Sequence, residues 1–113
     1  MSTPINSTIP VTKPGMSDPA LLPLADVTKY TGRLAVFGQW TNLSATIMAI
    51  PRGGGAAVPL DNFTGGQAIT WNTPSPLIAD PNIDGSQYQA IVVDAASLDA
   101  GTAYFNFTLD PVS

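Results

Sequence analysis

Residues 102–110 alternate between apolar and polar side chains with the period of a β-strand. Ala103, Phe105, Phe107 and Leu109 fall on one side of this alternation, and Thr, Tyr, Asn and Asp residues fall on the other. Successive side chains of a strand point to opposite faces, so the pattern predicts a strand with one buried face.

Shorter apolar runs, separated by Gly, Pro, Asn and Asp, recur along the chain after residue 25. Together with 102–110 they predict about six or seven short strands, which are typical of an antiparallel β-sandwich, here of a jelly-roll-like kind. The predicted strands are 31–40, 44–50, 57–60, 67–72, 87–94 and 102–110. Their inward positions predict a core of Leu34, Val36, Ile47, Ile69, Trp71, Ile91, Val93, Phe105, Phe107 and Leu109. The Pro- and Asp-rich stretch 73–86 is interpreted as a long loop.

The predicted strands 31–40 and 44–50 are apolar on both faces. In the first of them, Leu34 and Val36 alternate with Ala35 and Phe37. One face belongs to the core of the sandwich. The second face needs another cover, because an exposed apolar patch of this size promotes association. The N-terminal segment and a partner protein are the two candidate covers.

The N-terminal segment, residues 1–24, contains five of the eleven prolines. Proline blocks the preceding helical turn, so the segment cannot form a helix longer than about one turn. It also carries large aliphatic side chains, which disordered tails usually lack. We therefore predict an extended, Pro-rich N-terminal arm at 1–24, followed by the sandwich domain at 25–113. A disordered tail is the alternative. The host surface of the arm is either its own domain or a neighbouring subunit.

The residues expected to contact a partner are the large apolar side chains of the arm and one tryptophan of the first predicted strand. These interface candidates are Ile5, Ile9, Val11, Met16, Leu21, Leu22, Leu24 and Trp40.

Composition narrows the range of functions. The chain has no Cys and no His, so disulfides, thiol chemistry and histidine-based catalysis are excluded. The formal net charge of −4 argues against nucleic-acid and anionic-lipid partners. No apolar run approaches the length of roughly 18 residues that predicts a membrane helix. The first residues also lack the charged and apolar regions of a signal peptide.

One motif suggests a metal site. The stretch 80–85, DPNIDG, matches the front half of a calcium-binding loop, with Asp80, Asn82 and Asp84 as oxygen ligands. The EF-hand form needs Glu at the twelfth loop position, which is Ile91 here. We therefore favour a plain turn whose side chains bond their own backbone, and we expect no cofactor.

Two further sets of side chains are candidates for binding and catalysis. An aromatic set can form a sugar-stacking platform, although burial in the core or at an interface is the favoured interpretation; this set is Trp40, Trp71, Tyr30, Tyr88 and Tyr104. The conceivable acid–base groups are carboxylates that we expect to be solvated in turns and at strand ends, namely Asp80, Asp84, Asp94 and Asp99. Because a catalytic carboxylate pair needs one buried acid, we do not expect an enzyme.

Several segments occur in an order that resembles a group of small phage and prophage virion proteins. In chain order they are GRLAVFG, SATIMAI followed by RGGG, AITWN, SQYQAIVV and AYFNFTLDPV. The likeness runs from Gly32 to Val112. The chain departs from the group in its long stretch 73–86 and its apolar arm.

Such proteins are β-sandwich decoration or cement proteins, so the resemblance implies a non-enzymatic structural role. It implies bridging of major capsid subunits at the capsid surface of a virion, after assembly in the host cytoplasm. The implied partners are the major capsid protein and further copies of the chain, with a trimer favoured. A tail or fibre component, and a β-sandwich module that binds glycans or a host surface, are the alternatives.

Overall fold

The computed structural model describes residues 4–19, 22–24, 29–60, 69–71 and 75–112, and for 69–71 and 75–82 it describes the backbone. These residues form nine strands. They are β1 (Ile5–Val11), β2 (Gly15–Met16), β3 (Lys29–Thr41), β4 (Leu43–Pro51), β5 (Val58–Pro59), β6 (Ile69–Trp71), β7 (Ser75–Asp84), β8 (Tyr88–Ser97) and β9 (Ala100–Pro111).

The strands pack as two antiparallel sheets. The first sheet has the order β1-β9-β3-β7, and the second has the order β2-β8-β4-β5, with β6 also pairing with β4. When the short β6 is set aside, β1 lies beside β9, β2 beside β8, β3 beside β7 and β4 beside β5. This nesting of early strands with late ones is that of a long hairpin wrapped on itself, which is the jelly-roll arrangement. The predicted all-β sandwich is confirmed.

The core lies between the two sheets and matches the predicted inward positions. Each of the predicted strands is present, with ends that differ by a few residues. Eight of the ten predicted core residues are buried, namely Leu34, Val36, Ile47, Ile91, Val93, Phe105, Phe107 and Leu109. The side chains of the other two, Ile69 and Trp71, lie outside the described part of the chain. Burial of these alternating residues supplies the main driving force for closing the sandwich.

The prediction of a long loop at 73–86 is wrong. Residues 75–84 form β7, which pairs with β3. The register shifts between Tyr30 and Gly32 and again between Leu34 and Val36. The extra residues of β7 at these shifts lie beside Pro76 and Pro81. Proline is tolerated at bulges of an edge strand, so its presence does not exclude a strand here.

The N-terminal segment contributes strands to both sheets. β1 pairs with β9, and β2 pairs with β8. Farther along, the Leu24 amide donates to the Gln89 carbonyl at 2.9 Å, and the Ile91 amide donates to the Leu22 carbonyl at 3.1 Å. The described residues of this segment therefore lie on the sandwich of their own chain. A division into an arm, 1–24, and a sandwich, 25–113, does not follow the strand pairing, because β1 and β2 are members of the two sheets.

One contact at the end of the β3–β9 pair requires glycine. Gly101 lies opposite Trp40 and has a φ of +91°, a conformation that residues with a Cβ rarely adopt. A Cβ at this position would collide with the carbonyl oxygen of Gln39 and the Cα of Trp40. Trp40 is partly buried against the core at this point. The bare glycine therefore permits the close approach of the two strands beside the indole.

We expect Gly101→Ala to destabilise the fold far more than Gly54→Ala. Gly54 also has a positive φ, +96°, but a Cβ there meets nothing within 4 Å. Gly54→Ala should therefore cost only the backbone penalty of about 1–2 kcal/mol. Gly101→Ala should cost at least about 2 kcal/mol more, because steric overlap is added. Urea unfolding of both variants measures the difference, and equal losses would contradict a close approach at Gly101.

Arg52, which follows β4, joins two other segments at one end of the second sheet: the N-terminal segment at Leu24 and the connection between β7 and β8. Its Nε donates to the Gly85 carbonyl at 2.9 Å, and its Nη2 donates to the Leu24 carbonyl at 2.9 Å and the Tyr88 carbonyl at 3.2 Å. The Arg52 amide also donates to the Gln87 carbonyl at 2.7 Å. A planar guanidinium presents several donors in fixed directions, so one side chain can hold both segments.

We expect Arg52→Ala to lower the free energy of unfolding by about 2–3 kcal/mol, because carbonyl groups lose charged donors. Arg33→Ala is the matched control. Arg33 lies 3.9 Å from Asp110, and both side chains are about half exposed. Exposed ion pairs of this kind contribute about 0–1 kcal/mol. Chemical denaturation compares the two variants, and a loss at Arg52 no larger than that at Arg33 would contradict the role of the guanidinium.

Candidate docking surface

The outward side chains of β1, β9 and β3 form a continuous surface, which we call the outer face. Strand alternation places them opposite the core residues of the same strands. On this surface the side chains of Phe37 and Tyr104 are 47% and 37% exposed. Their rings stack with centroids 5.3 Å apart and an interplanar angle of 17°. We call these two residues the aromatic pair.

Strand register brings the aromatic pair together. Phe37 lies directly opposite Tyr104 in the β3–β9 pair, and Pro10 lies opposite Tyr104 in the β1–β9 pair. Side chains directly opposite one another on the same face of an antiparallel pair lie close enough to touch. The result is an apolar row of Pro10, Tyr104 and Phe37 that crosses three strands.

The next row along the outer face carries no charge and has two polar members. It consists of Thr8, Asn106 and Ala35, which are register partners. The Asn106 amide donates to the Thr8 hydroxyl oxygen and to the Asn6 carboxamide oxygen, both at 2.9 Å. These bonds fix the orientation of the polar side chains beside the aromatic pair. A surface with one apolar row and few charges is suited to docking on a protein, because little charge has to be desolvated.

The interface candidates from the N-terminal segment are placed mostly in the core. Ile9, Val11, Leu22 and Leu24 are buried in the hydrophobic core cluster. Their side chains pack between the sheets of their own chain and present no surface to a partner. The segment completes the sandwich because these aliphatic residues contribute to the core between its two sheets.

The remaining interface candidates have different environments. Ile5 and Trp40 are partly buried and pack against the core. Met16 is 51% exposed at the edge of the second sheet. Leu21 lies outside the described residues. Of the candidates described, Met16 presents the most apolar surface.

The aromatic residues considered as a sugar-stacking platform do not all lie on one surface. Tyr30 is fully buried, and Tyr88 packs against the core. The side chain of Trp71 lies outside the described part of the chain. Tyr104 reaches the outer face, where its neighbour is Phe37. The sequence did not identify Phe37 as a site residue. The signal that could have identified it is the alternation of the strand, which places Phe37, between the inward Val36 and Gly38, on the outward side.

The second apolar face noted in the sequence is found on the second sheet, whereas on β3 it is limited to Ala35 and Phe37. On the second sheet, Ala90 and Val92 are buried but lie outside the core cluster, on the side of β8 away from it. Their register partners Ile50 and Met48 are half-buried. The apolar character of 44–50 is therefore divided between the core and a smaller cluster on the opposite side of the sheet.

The calcium candidates do not form a closed loop. Asp80, Asn82 and Asp84 lie on β7, which is extended rather than curled, so successive alternate residues are separated by about 6–7 Å along the strand. The carboxylate of Asp84 accepts from the Ser86 hydroxyl at 2.7 Å and from the Ser86 amide at 2.9 Å. Among the described residues, no group of three or more acidic side chains is positioned to hold a metal ion.

The other acids considered for catalysis lie on separate elements. Asp94 is on β8, and Asp99 is in the turn before β9, where its carboxylate accepts from the Asn42 amide at 2.6 Å. Asn42 has a φ of +55° and lies between β3 and β4, so its bond to Asp99 joins this turn to the one before β9.

Within the described residues, no helix is long and apolar enough to cross a membrane.

Known proteins resemble the chain in fold. No protein-family model matches the sequence, and no curated protein matches it. The crystal structure of the SPBc2 prophage-derived protein YomS is similar over 97% of both chains, with a TM-score of 0.55 and 12% sequence identity. At this identity the similarity shows a common fold. The jelly-roll sandwich described above is thus also the fold of a prophage-derived protein.

Asp84 provides a test of the turn that follows β7. The hydrogen bonds from the Ser86 hydroxyl and amide hold the pKa of the Asp84 carboxyl below its ordinary value. A carboxyl with a lowered pKa in the folded state stabilises the fold above its unfolded-state pKa, and this contribution is lost as the pH falls through the folded-state pKa. The affected window therefore lies below about pH 4.

We expect Ser86→Ala to raise the pKa of Asp84 toward its ordinary value, because the strongest donor is removed. An NMR titration of the carboxyl carbon measures this pKa. Acid unfolding of Ser86→Ala should also show a smaller loss of stability between about pH 4 and pH 2 than the parent chain does. Asp84→Asn is the control without the titrating group. An unchanged pKa in Ser86→Ala would contradict the assigned cause.

Proposed function

We propose that the chain is a non-enzymatic structural protein of a phage virion, which decorates the capsid and stabilises it by bridging major capsid subunits. The observation that carries this proposal is the exposed aromatic pair on an otherwise uncharged region of the outer face. Support also comes from the fold, which matches that of a prophage-derived protein. Fold alone does not determine function, so the proposal depends mainly on the aromatic pair.

Docking through the outer face replaces docking through an N-terminal arm. The aliphatic residues at 9, 11, 22 and 24 are buried within their own chain. The aromatic pair is available instead, and aromatic side chains, Phe and Tyr included, are enriched in protein interfaces. In this role the major capsid protein is the partner, and nucleic acid and membrane are not. Many weak contacts of this kind, repeated over a symmetric shell, add up to stable attachment.

The stacking geometry leaves contact surface for a protein partner. In the aromatic pair the two rings are nearly parallel and offset, so each ring covers part of one face of the other. Edges, the outer ring faces and the Tyr104 hydroxyl remain for contact, which suits an irregular protein surface.

We expect Phe37→Ser and Tyr104→Ser to abolish attachment to capsids while leaving the fold stable. Both side chains are substantially exposed, so each change should alter the free energy of unfolding by less than about 1 kcal/mol. Val58→Ser is the matched control, because Val58 is apolar, 37% exposed and located on the other sheet. Co-sedimentation with virions that lack the chain measures attachment. Full attachment of both aromatic variants would contradict the proposed surface.

Quantitative mass spectrometry of virions from the source gives the copy number relative to the major capsid protein. Near-equal amounts are expected for a decoration protein. A few copies per particle would instead support the tail or fibre alternative, and absence from virions would contradict a structural role.

A further inference from the structure

The edges of the two sheets are not equally protected against pairing with another chain. β7 carries two register shifts beside prolines, and the edge strands β2 and β5 are two residues long. Bulges, prolines and short length are the usual means by which proteins prevent edge pairing. β1 has seven residues and a regular register with β9, and among the described strands none pairs with its outer edge.

The sequence of β1 is self-complementary around Ser7. In an antiparallel pair of two such strands centred there, Ile5 lies opposite Ile9 of the second copy, and Asn6 lies opposite Thr8 of the second copy. Apolar residues on the core side meet apolar residues, and polar residues on the outer face meet polar residues. Such matched cross-strand pairs are the unit of sheet stabilisation. Prolines at positions 4 and 10 limit the pairing to the five residues between them.

Pro10 indicates which backbone groups of β1 point outward. A proline in a paired edge strand is tolerated where its missing N–H faces away from the neighbouring strand. Backbone groups alternate sides along a strand, so Asn6 and Thr8 point their N–H and C=O groups in the same direction as Pro10. In the two-fold arrangement the backbone of Asn6 faces Thr8 of the second copy, and the backbone of Thr8 faces Asn6 of the second copy. Each of these two pairs exchanges two backbone hydrogen bonds, which gives about four in total.

Two side chains are already oriented for such a pair. The Asn6 carboxamide oxygen and the Thr8 hydroxyl oxygen both accept from Asn106 at 2.9 Å. The Asn6 amide group and the Thr8 hydroxyl hydrogen therefore retain donors for a further contact. Across the two-fold axis, the Asn6 amide can donate to the second lone pair of Thr8 in the other copy. Ile5, which is only partly buried in the single chain, is covered by the same arrangement.

We propose that β1 pairs antiparallel with β1 of a second copy about a two-fold axis at Ser7, which joins the two first sheets into one continuous eight-stranded sheet. A five-residue pairing buries less surface than the roughly 1,200 Å² of a stable interface, so the dimer forms at high local concentration. The symmetry is two-fold, in contrast to the three-fold association that the resemblance to decoration proteins implies. The proposal does not rest on the virion role, because it concerns the chain alone in solution.

Charge-exchange variants of the full chain test this pairing. Asn6→Lys/Thr8→Lys places like charges opposite each other across the axis, and Asn6→Glu/Thr8→Glu does the same with negative charge. Each double variant should dimerise at least about tenfold more weakly than the parent chain, whereas an equimolar mixture should recover a heterodimer. Gln39→Lys/Thr102→Lys is the matched control, because these partners carry the same added charge on the outer face away from β1.

Sedimentation velocity from about 10 μM to 1 mM measures association, since contacts of this size fall in that range of dissociation constants. Thermal unfolding of each variant establishes that the monomer remains folded. A dimer that is weakened by both edge variants and recovered in the mixture supports the proposal. A monomer throughout, a trimer, or a dimer unaffected by the edge charges overturns it. None of these outcomes depends on capsid attachment, so failure here is distinguishable from failure of the proposed function.

Discussion

The pairing of β3 with β9 is the constraint on which the other parts of the structure depend. It runs from Tyr30 opposite Pro111 to Thr41 opposite Ala100 without a register shift. A slip of one residue would exchange the two faces of a strand. The register therefore decides that Phe105 and its alternate neighbours enter the core, while Phe37 and Tyr104 meet on the outer face. Burial on the inner face and the exposed aromatic pair on the outer face are two consequences of the same alignment.

This ladder also explains why the two ends of the chain meet. β9 is the last strand, and with β3 on one side its other side accepts β1, the first strand. β1 delivers Ile9 and Val11 to the core, and the following residues continue to the second sheet, where Leu22 and Leu24 are buried beside β8. The N-terminal segment thus joins both sheets, and Arg52 fixes its end by donating to the Leu24 carbonyl.

Alternation over long segments could be interpreted correctly from the sequence because it is local. The nine residues 102–110 identify their own inward face, and the same logic located most of the core. β7 was missed because Pro76 and Pro81 resemble loop residues, and their tolerance depends on an edge position that only the assembled sheet defines. The N-terminal strands were missed because their partners are distant in sequence. The aromatic pair depends on register, which no single segment contains.

The outer face and the β1 edge are linked by geometry. A two-fold pair at β1 keeps both outer faces on the same side of one sheet, since paired strands share their faces. Pro10, at one end of the apolar row, lies on β1, which is the strand at the proposed junction. In the dimer, the apolar rows of the two copies would therefore lie on one surface, each with its Pro10 end toward the junction. Each row alone is a small contact. In the proposed dimer, two rows on one rigid sheet would meet a repetitive partner with the second contact already at high effective concentration. The proposed edge pairing and the proposed docking surface would therefore reinforce each other on a repetitive lattice.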